Sequence, residues 1–201
     1  MKILKINSDN PEKAIIKKVV EVIKKGGVIV YPTDTVYGLG VNALDKEAVK
    51  RVFEIKGRDF KKPVSIIVRD VEMAKKVANF GREIEKILKK ILPGPITVIL
   101  YKKKILSDIL TGGSKKIGLR IPDCRFTQIL MGQLDFPITT TSANISGKPA
   151  SVIKHGPDLF LDASRLSGQA STVVDLTGSR PKILRTGAVA KKELLKVLNF
   201  G

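Results

Sequence analysis

The chain has 201 residues, 43% of them hydrophobic and 28% charged, which is enough to bury a core, and we expect one domain over residues 1–201. A single cysteine excludes an intramolecular disulfide, and one cysteine with one histidine excludes a Cys/His zinc site. The net charge of +18 favours polyanionic partners, although the solvated, lysine-rich helix faces of a heat-stable protein would give the same charge.

We expect neither a membrane span nor a secretory signal peptide. No run of 18 apolar residues occurs, and residues 1–7 lack the apolar stretch of a signal peptide. We therefore predict a cytoplasmic protein without a membrane span.

Hydrophobic periodicity predicts helices and strands in alternation along the chain. The first helix is predicted to have Asn10 as its cap and Pro11 at its first position, and to end at Gly26 and Gly27. A second helix, capped by Asp45, is predicted over 46–55. Further helices are predicted over 71–80, 82–92, 124–134 and 191–198, and strands over 28–31, 64–68, 96–101, 117–121, 137–141, 172–176 and 182–184. This alternation predicts an α/β fold, and the short strand connections near the C-terminus favour a mixed sheet.

Three polar clusters lie where a strand or helix gives way to a loop, which is where binding residues are often placed. The first, residues 31–40, combines hydroxyls with Gly38 and Gly40, which would let the backbone approach a small ligand. A turn followed by a packed loop explains the same residues.

The second and third clusters suggest an anion site. Lys56 and Arg58 would share a face in an extended segment, where an anion such as phosphate would relieve their repulsion. Ser142 and Asn144 follow a strand and offer donors to phosphate or to a hydrated Mg²⁺. A solvated basic loop and a Ser/Asn turn or helix cap are the structural alternatives.

Other polar residues give weaker indications. Arg120 lies in an apolar strand, so we expect a carboxylate ligand or an internal acid beside it. His155 is expected at the surface and Cys124 in the core at a helix start. The sequence contains no standard phosphate-loop or dinucleotide-binding motif.

Seven segments, in this order, resemble the YrdC-like family of threonylcarbamoyl-AMP synthases. They are PTDTVYGLG at 32–40, KGR at 56–58, PGPIT at 93–97, GLRIP at 118–122, TSANISG at 141–147, STVVD at 171–175 and LRTGA at 184–188. Each segment is weak alone, but the series covers nearly the whole chain. The resemblance implies the short, single-domain form of the family, with a twisted mixed sheet flanked by helices and a basic concave cavity.

The resemblance also implies a reaction. L-Threonine, bicarbonate or CO₂, and ATP would give L-threonylcarbamoyl-AMP and pyrophosphate, with Mg²⁺ entering on the ATP phosphates. The product would pass to the machinery that transfers the threonylcarbamoyl group to adenosine 37 of tRNA. No protein nucleophile is needed, because the threonine carbamate itself attacks the α-phosphate.

Residue roles follow from the same resemblance. Lys56 and Arg58 are implied to be catalytic and to bind ATP. The other ATP-binding residues would be Lys62, Lys116, Ser142, Asn144 and Arg185. The L-threonine-binding residues would be Thr35, Arg120, Thr140 and Ser171. Three positions depart from the commoner family pattern: Asp59 replaces a proline, Ile67 a histidine found in some relatives, and Ala150 a serine or threonine.

The charge of +18 supports a second hypothesis, in which the chain is an RNA- or ribosome-binding module of the same fold without this activity. Even as an enzyme, the protein could bind tRNA directly. A related carbamoyl-adenylate chemistry with another acceptor is a third hypothesis.

Overall fold

A long mixed sheet, flanked by helices, organises the computed structural model, which describes residues 1–146, 153, 155–164, 166 and 168–198. The strands are β1 (Lys2–Lys5), β2 (Ile29–Tyr31), β3 (Gly38–Gly40), β4 (Ser65–Ile67), β5 (Ala78–Asn79), β6 (Ile96–Lys102), β7 (Lys116–Arg120), β8 (Ile138–Ser142), β9 (Leu159–Asp162), β10 (Thr172–Asp175) and β11 (Lys182–Arg185). The helices are α1 (Lys13–Lys24), α2 (Lys46–Lys56), α3 (Val71–Val77), α4 (Arg82–Ile91), α5 (Asp108–Thr111), α6 (Arg125–Gly132) and α7 (Lys191–Val197).

The strand order is β1-β9-β2-β3-β8-β4-β7-β6-β10-β11. The short strand β5 pairs with the C-terminal end of β6, at Tyr101 and Lys102. The sheet contains both parallel pairs, such as β4–β7 and β6–β10, and antiparallel pairs, such as β6–β7 and β10–β11. The prediction of an α/β fold with a mixed sheet flanked by helices is confirmed. Within the described part of the chain, no helix is long and apolar enough to cross a membrane.

The two predicted helix caps had different outcomes. Asp45 caps α2 as predicted, because its carboxylate accepts hydrogen bonds from the backbone N–H groups of Glu47 and Ala48. The prediction for Asn10 is wrong, since α1 begins at Lys13 and Glu12 occupies its N-cap without a side-chain hydrogen bond. Asn10 instead donates its backbone N–H to the side chain of Asn7 in the preceding turn.

Several elements differ from the predicted ones. The helix predicted over 71–80 ends at Val77, because Ala78 and Asn79 pair with β6 as the short strand β5. The sequence patterns did not predict β1, β3, β9 or α5. Both β1 and β9 are four residues long, which is too short for a clear period of alternation.

Gly38 and Gly40 are explained by Tyr31, which lies opposite Gly38 across the β2–β3 pair and whose ring also covers Gly40. A Cβ atom at Gly38 would come within 2.9 Å of the Tyr31 ring, and one at Gly40 within 2.6 Å. The ring is fully buried, and its hydroxyl donates to the backbone oxygen of Thr139 on β8. These glycines therefore make room for a core side chain, and Gly38 also lines the cavity described below.

Candidate functional site

A cavity of about 400 Å³ opens on one face of the sheet. Alternate residues of β7 line it, namely Lys116, Gly118 and Arg120, which places this face of the strand toward the cavity. Eight of the eleven residues predicted for the site contribute to the lining: Thr35, Arg58, Lys116, Arg120, Thr140, Ser142, Ser171 and Arg185. These residues come from distant parts of the sequence, so the fold brings the predicted segments to one place.

Lys56 and Arg58, on either side of Gly57, lie in different environments. Lys56 is the last residue of α2, and Gly57 follows with φ +54°, in the left-handed region that ends helices. Lys56 is buried and does not line the cavity, whereas Arg58 does. The expectation that the two cations share a face assumed an extended segment, which the left-handed glycine prevents.

Arg58 is held by its own loop. Its Nε donates to the Lys62 backbone oxygen at 3.1 Å, and its Nη2 donates to the Pro63 backbone oxygen at 3.0 Å. Because a guanidinium carries five N–H donors, donors remain for a ligand in the cavity. Partial burial lowers the pKa of Arg58, which nevertheless stays charged at neutral pH.

Lys56 binds the third polar cluster without lining the cavity. Its Nζ donates to the backbone oxygens of Ser142 and Asn144, the second at 2.6 Å. The Ser142 hydroxyl donates to Asn144 Oδ1 at 2.5 Å, which closes the turn. Ser142 is exposed to the cavity, but Asn144 and Lys62 lie outside the lining, and Lys62 projects into solvent.

Arg120 has an internal acid as its partner. Its Nη2 donates to Asp34 Oδ1, and its Nη1 donates to the Thr35 hydroxyl at 2.7 Å. Only 4% of Arg120 is exposed, and burial lowers its pKa although Asp34 acts in the opposite direction. Its Nε has no hydrogen-bond partner among the described residues. The sequence predicted an acid or a ligand here, and the structure identifies the acid as Asp34.

Thr97, Ser171 and Arg185 form a hydrogen-bonded network in the cavity lining. The Thr97 and Ser171 hydroxyls are 2.8 Å apart, and Arg185 Nη2 lies 3.2 Å from the Ser171 hydroxyl. Arg185 also donates from Nη2 to the Ser171 backbone oxygen at 2.8 Å, which holds its exposed side chain at the rim. Thr140, on β8, adds another hydroxyl to the lining.

Lys116 and Asp175 form an ion pair at another part of the lining, with Lys116 Nζ 2.9 Å from Asp175 Oδ2. The hydrogen bond from Lys116 to Asp175 raises the pKa of Lys116. Burial acts to raise the pKa of Asp175, but hydrogen bonds from Thr177 and Lys116 outweigh it and keep this pKa below its usual value. Asp175 is therefore ionised at neutral pH and fixes the position of the lysine.

The three departures from the family pattern lie in different environments. Asp59 is exposed, and its carboxylate accepts the backbone N–H of Lys61 at 2.8 Å, which shapes the loop that holds Arg58. Ile67 is fully buried and does not line the cavity. Ala150 lies outside the described residues.

Tyr37, within the predicted polar cluster 31–40, lines the cavity, and its hydroxyl donates to the Ser164 backbone oxygen at 2.8 Å. Sequence reasoning missed two other lining residues, Ser65 and Thr97. Ser65 and Thr97 are supplied by β4 and β6. Side chains alternate between the two faces of a strand, and the pairing register puts Ser65 and Thr97 on the same face of the sheet as Arg120. Knowledge of this register would have identified both residues.

A mixed sheet with a cavity lined by three arginines, a lysine and several hydroxyls defines an α/β protein suited to hold a small anionic ligand. The family model Sua5_yciO_yrdC, described as telomere recombination, matches residues 21–187. The chain belongs to this family, which confirms the resemblance.

Individual relatives differ in length. The chain is 37% identical to a putative threonylcarbamoyl-AMP synthase of Methanocaldococcus jannaschii, over 97% of each chain. It is also 37% identical to a Pyrococcus abyssi threonylcarbamoyl-AMP synthase, over 88% of this chain and 55% of the relative. A crystal structure of P. abyssi Sua5 complexed with L-threonine superimposes with a TM-score of 0.93 at 34% identity, over 98% of this chain and 61% of that one. The chain thus spans only part of the length of some relatives.

Proposed function

We propose that this protein is a threonylcarbamoyl-AMP synthase, which converts L-threonine, bicarbonate or CO₂, and ATP into L-threonylcarbamoyl-AMP and pyrophosphate. The observation that carries the proposal is that one cavity is lined by Thr35, Arg120 and Ser171 together with Arg58 and Arg185. The family match and the names of two relatives support the same reaction.

The threonine end of the cavity is proposed to be the region of Thr35, Arg120, Thr140 and Ser171. A solved relative of 34% identity was crystallised with L-threonine, which supports a threonine subsite in this fold. Asp34 and Thr35 hold the Arg120 guanidinium in place. The cation beside the cavity would attract the substrate carboxylate, and the hydroxyls of Thr140 and Ser171 would orient the amino acid.

The nucleotide end is proposed to include Arg58, Lys116, Ser142 and Arg185. Arg58, Lys116 and Arg185 are each anchored by a protein oxygen, at Lys62, Asp175 and Ser171 respectively. Cations that are fixed before the substrate binds stabilise charge that develops on phosphate oxygens without the cost of reorganisation. Lys62 and Asn144 lie outside the lining, so a direct contact with ATP would require a side-chain movement.

The reaction balances without a protein nucleophile. The threonine nitrogen bonds to the carbon of CO₂ and loses a proton, which gives a carbamate. A carbamate oxygen then bonds to the α-phosphorus, the bond from that phosphorus to the bridging oxygen breaks, and pyrophosphate leaves with the electron pair. The protein's contribution is to position the two substrates and to stabilise the charge.

Mg²⁺ is proposed to enter with ATP. Among the described residues, no group of three His, Cys, Asp or Glu side chains could hold a metal ion. The two carboxylates near the cavity, Asp34 and Asp175, are both engaged in ion pairs. Bound to the phosphates, Mg²⁺ would neutralise part of their charge, while Arg58 and Arg185 supply the protein's cations.

Turnover with purified protein tests the proposal. We expect pyrophosphate release that requires L-threonine, ATP and bicarbonate together, and a product with the mass of L-threonylcarbamoyl-AMP. Substituting other amino acids for threonine separates this reaction from a related carbamoyl-adenylate chemistry. Absence of product at saturating substrates, from protein with a native unfolding transition, would reject the proposal.

The proposed product is a labile intermediate, so a partner that transfers its threonylcarbamoyl group to adenosine 37 of tRNA belongs to the same proposal. We propose the cytoplasm as the location of the protein, where it would meet tRNA. Direct contact with tRNA is a further part of the proposal, and the distribution of lysines supports it.

The second candidate function, an RNA-binding module, is favoured by the lysines of α1. Lys13, Lys17, Lys24 and Lys25 are exposed, and no ion pair involves them among the described residues. The α4 lysines differ, since Lys86 pairs with Glu83 and Lys89 with Glu85. The exposed face of α1 is therefore better suited to the phosphates of RNA.

Matched charge variants test this RNA contact. We expect Lys17→Gln/Lys24→Gln/Lys25→Gln to weaken tRNA binding by about tenfold or more and to reduce the salt dependence by about one phosphate per lysine. Lys86→Gln/Lys89→Gln/Lys90→Gln removes the same charge from α4 and should weaken binding less than about threefold. Fluorescence anisotropy over a salt series measures both variants.

Equal losses in the two triple variants would contradict an α1 surface. Both variants should retain wild-type turnover of threonine and ATP, because their substitutions lie away from the cavity lining. Salt-sensitive tRNA binding by a protein without any turnover would favour the module over the enzyme.

A further inference from the structure

Lys56 is the only lysine among the fully buried side chains of the described residues, with 1% of its surface exposed. Lysine is almost never buried to this extent unless it is paired, because transfer of its charge from water is costly. No carboxylate forms an ion pair with Lys56 in the described part of the chain. Its burial must therefore be offset by neutral acceptors.

The acceptors belong to one turn, residues 142–146. Lys56 Nζ donates to the backbone oxygens of Ser142 and Asn144, and the Lys56 backbone oxygen accepts the N–H of Ser146 at 2.9 Å. One residue at the end of α2 thus contacts the turn at three points. Ser142, the first residue of this turn, lines the cavity.

A direct contact between Lys56 and phosphate does not fit this geometry. Two of the three N–H donors of the ammonium group are already used, and the side chain does not reach the cavity lining. Arg58, two residues later, does line the cavity and is the cation of this segment that could contact a phosphate.

We propose that Lys56 is a positioning residue, which fixes the turn over 142–146 so that the turn can bind nucleotide, and that it does not itself contact the phosphates. This inference rests on the proposed function. The kinetic test below requires that activity, whereas the labelling and hydrogen-exchange tests do not require turnover. The ammonium group polarises the two carbonyls and holds the backbone of Ser142 at a set distance from α2.

The proposal gives the turn a dependence on pH. Burial, with a smaller contribution from the charge of Arg58, lowers the pKa of Lys56 to about 8. Arg58 is the charged group acting on Lys56, since the facing turn over 142–146 contains no ionisable side chain. Lys56 is therefore charged below about pH 8 and loses its proton as the pH rises through that value, which weakens its hold on the carbonyls.

Steady-state kinetics of Lys56→Met test this role. We expect the KM for ATP to rise between about tenfold and a hundredfold, as expected for the loss of hydrogen bonds from a charged group, while the KM for threonine changes less than about threefold. The wild-type KM for ATP should rise above pH 8, and this rise should be absent from the variant. Lys50→Met, on the exposed side of α2, is the matched control and should behave as wild type.

Two measurements stay informative if the protein shows no turnover or if Lys56→Met folds poorly. In amine labelling of the wild-type protein with acetic anhydride, Lys56 should stay unmodified with and without ATP, while exposed Lys50 reacts. In hydrogen exchange, the rate for the Ser146 amide should rise above pH 8 by more than the rate for an unprotected amide rises over the same pH range. Labelling of Lys56 in the free protein that ATP prevents would overturn the proposal and indicate a phosphate ligand.

Discussion

Replacing Arg58 with alanine is expected to reduce threonine-dependent pyrophosphate release by about 10²–10³-fold. Arg58 is a cation in the cavity lining whose guanidinium is fixed by two backbone oxygens of its own loop, at Lys62 and Pro63. Stacking of Phe60 on Phe53, with ring centroids 4.9 Å apart, ties that loop to α2. Loss of a fixed group that stabilises developing charge lowers kcat by about 10²–10³-fold.

Pyrophosphate release with saturating threonine, ATP and bicarbonate measures the effect. Lys61→Ala is the control, because Lys61 is an exposed cation of the same loop that does not line the cavity. Arg58→Lys should restore only part of the rate, since an ammonium group cannot reproduce the planar fork of donors. Near-normal turnover by Arg58→Ala would count heavily against the proposed role.

Replacing Asp34 with alanine is expected to destabilise the protein strongly. Asp34 and Arg120 form an ion pair with only 10% and 5% of their side chains exposed. Removal of the acid leaves Arg120 charged and buried, which costs about 3–5 kcal/mol of unfolding free energy. For a chain of this length the corresponding fall in Tm is roughly 6–20 °C.

Urea and thermal unfolding measure this loss. Glu83→Ala removes the acid of an exposed pair on α4 and should cost less than about 1 kcal/mol. The variant Asp34→Ala/Arg120→Leu should recover part of the stability, because no unpaired charge is then buried. A single Asp34→Ala variant that unfolds like wild type would mean that water or another group satisfies Arg120.

The sequence predicted the fold well where a pattern was long or a cap was strong. Asp45 marked the start of α2, and the apolar runs marked β2, β6 and β7. The failures were local: β1 and β9 are short, and their pairing depends on residues far apart in the chain. Periodicity describes one segment at a time, so it cannot reveal a strand that is stabilised mainly by a distant partner.

The candidate site was predicted in part. The family resemblance pointed to residues that line one cavity, although their roles remain predictions. Physical reasoning from residue types went wrong at Lys56, because the left-handed Gly57 turns the lysine away from the cavity. It also did not foresee that the Tyr31 ring leaves no room for a Cβ atom at Gly38 or Gly40. Both points concern packing in three dimensions, which residue types alone do not specify.

The order of strands in the sheet has a consequence for synthesis on the ribosome. Strand β1 pairs with β9, so Lys2 lies opposite Leu159, and β9 separates β1 from β2. Strand β1 must therefore wait for β9, more than 150 residues later in the sequence, before it can pair, and such long-range pairing slows folding. Truncation before Leu159 would leave β2 with an open edge, so we expect shortened chains to aggregate during expression.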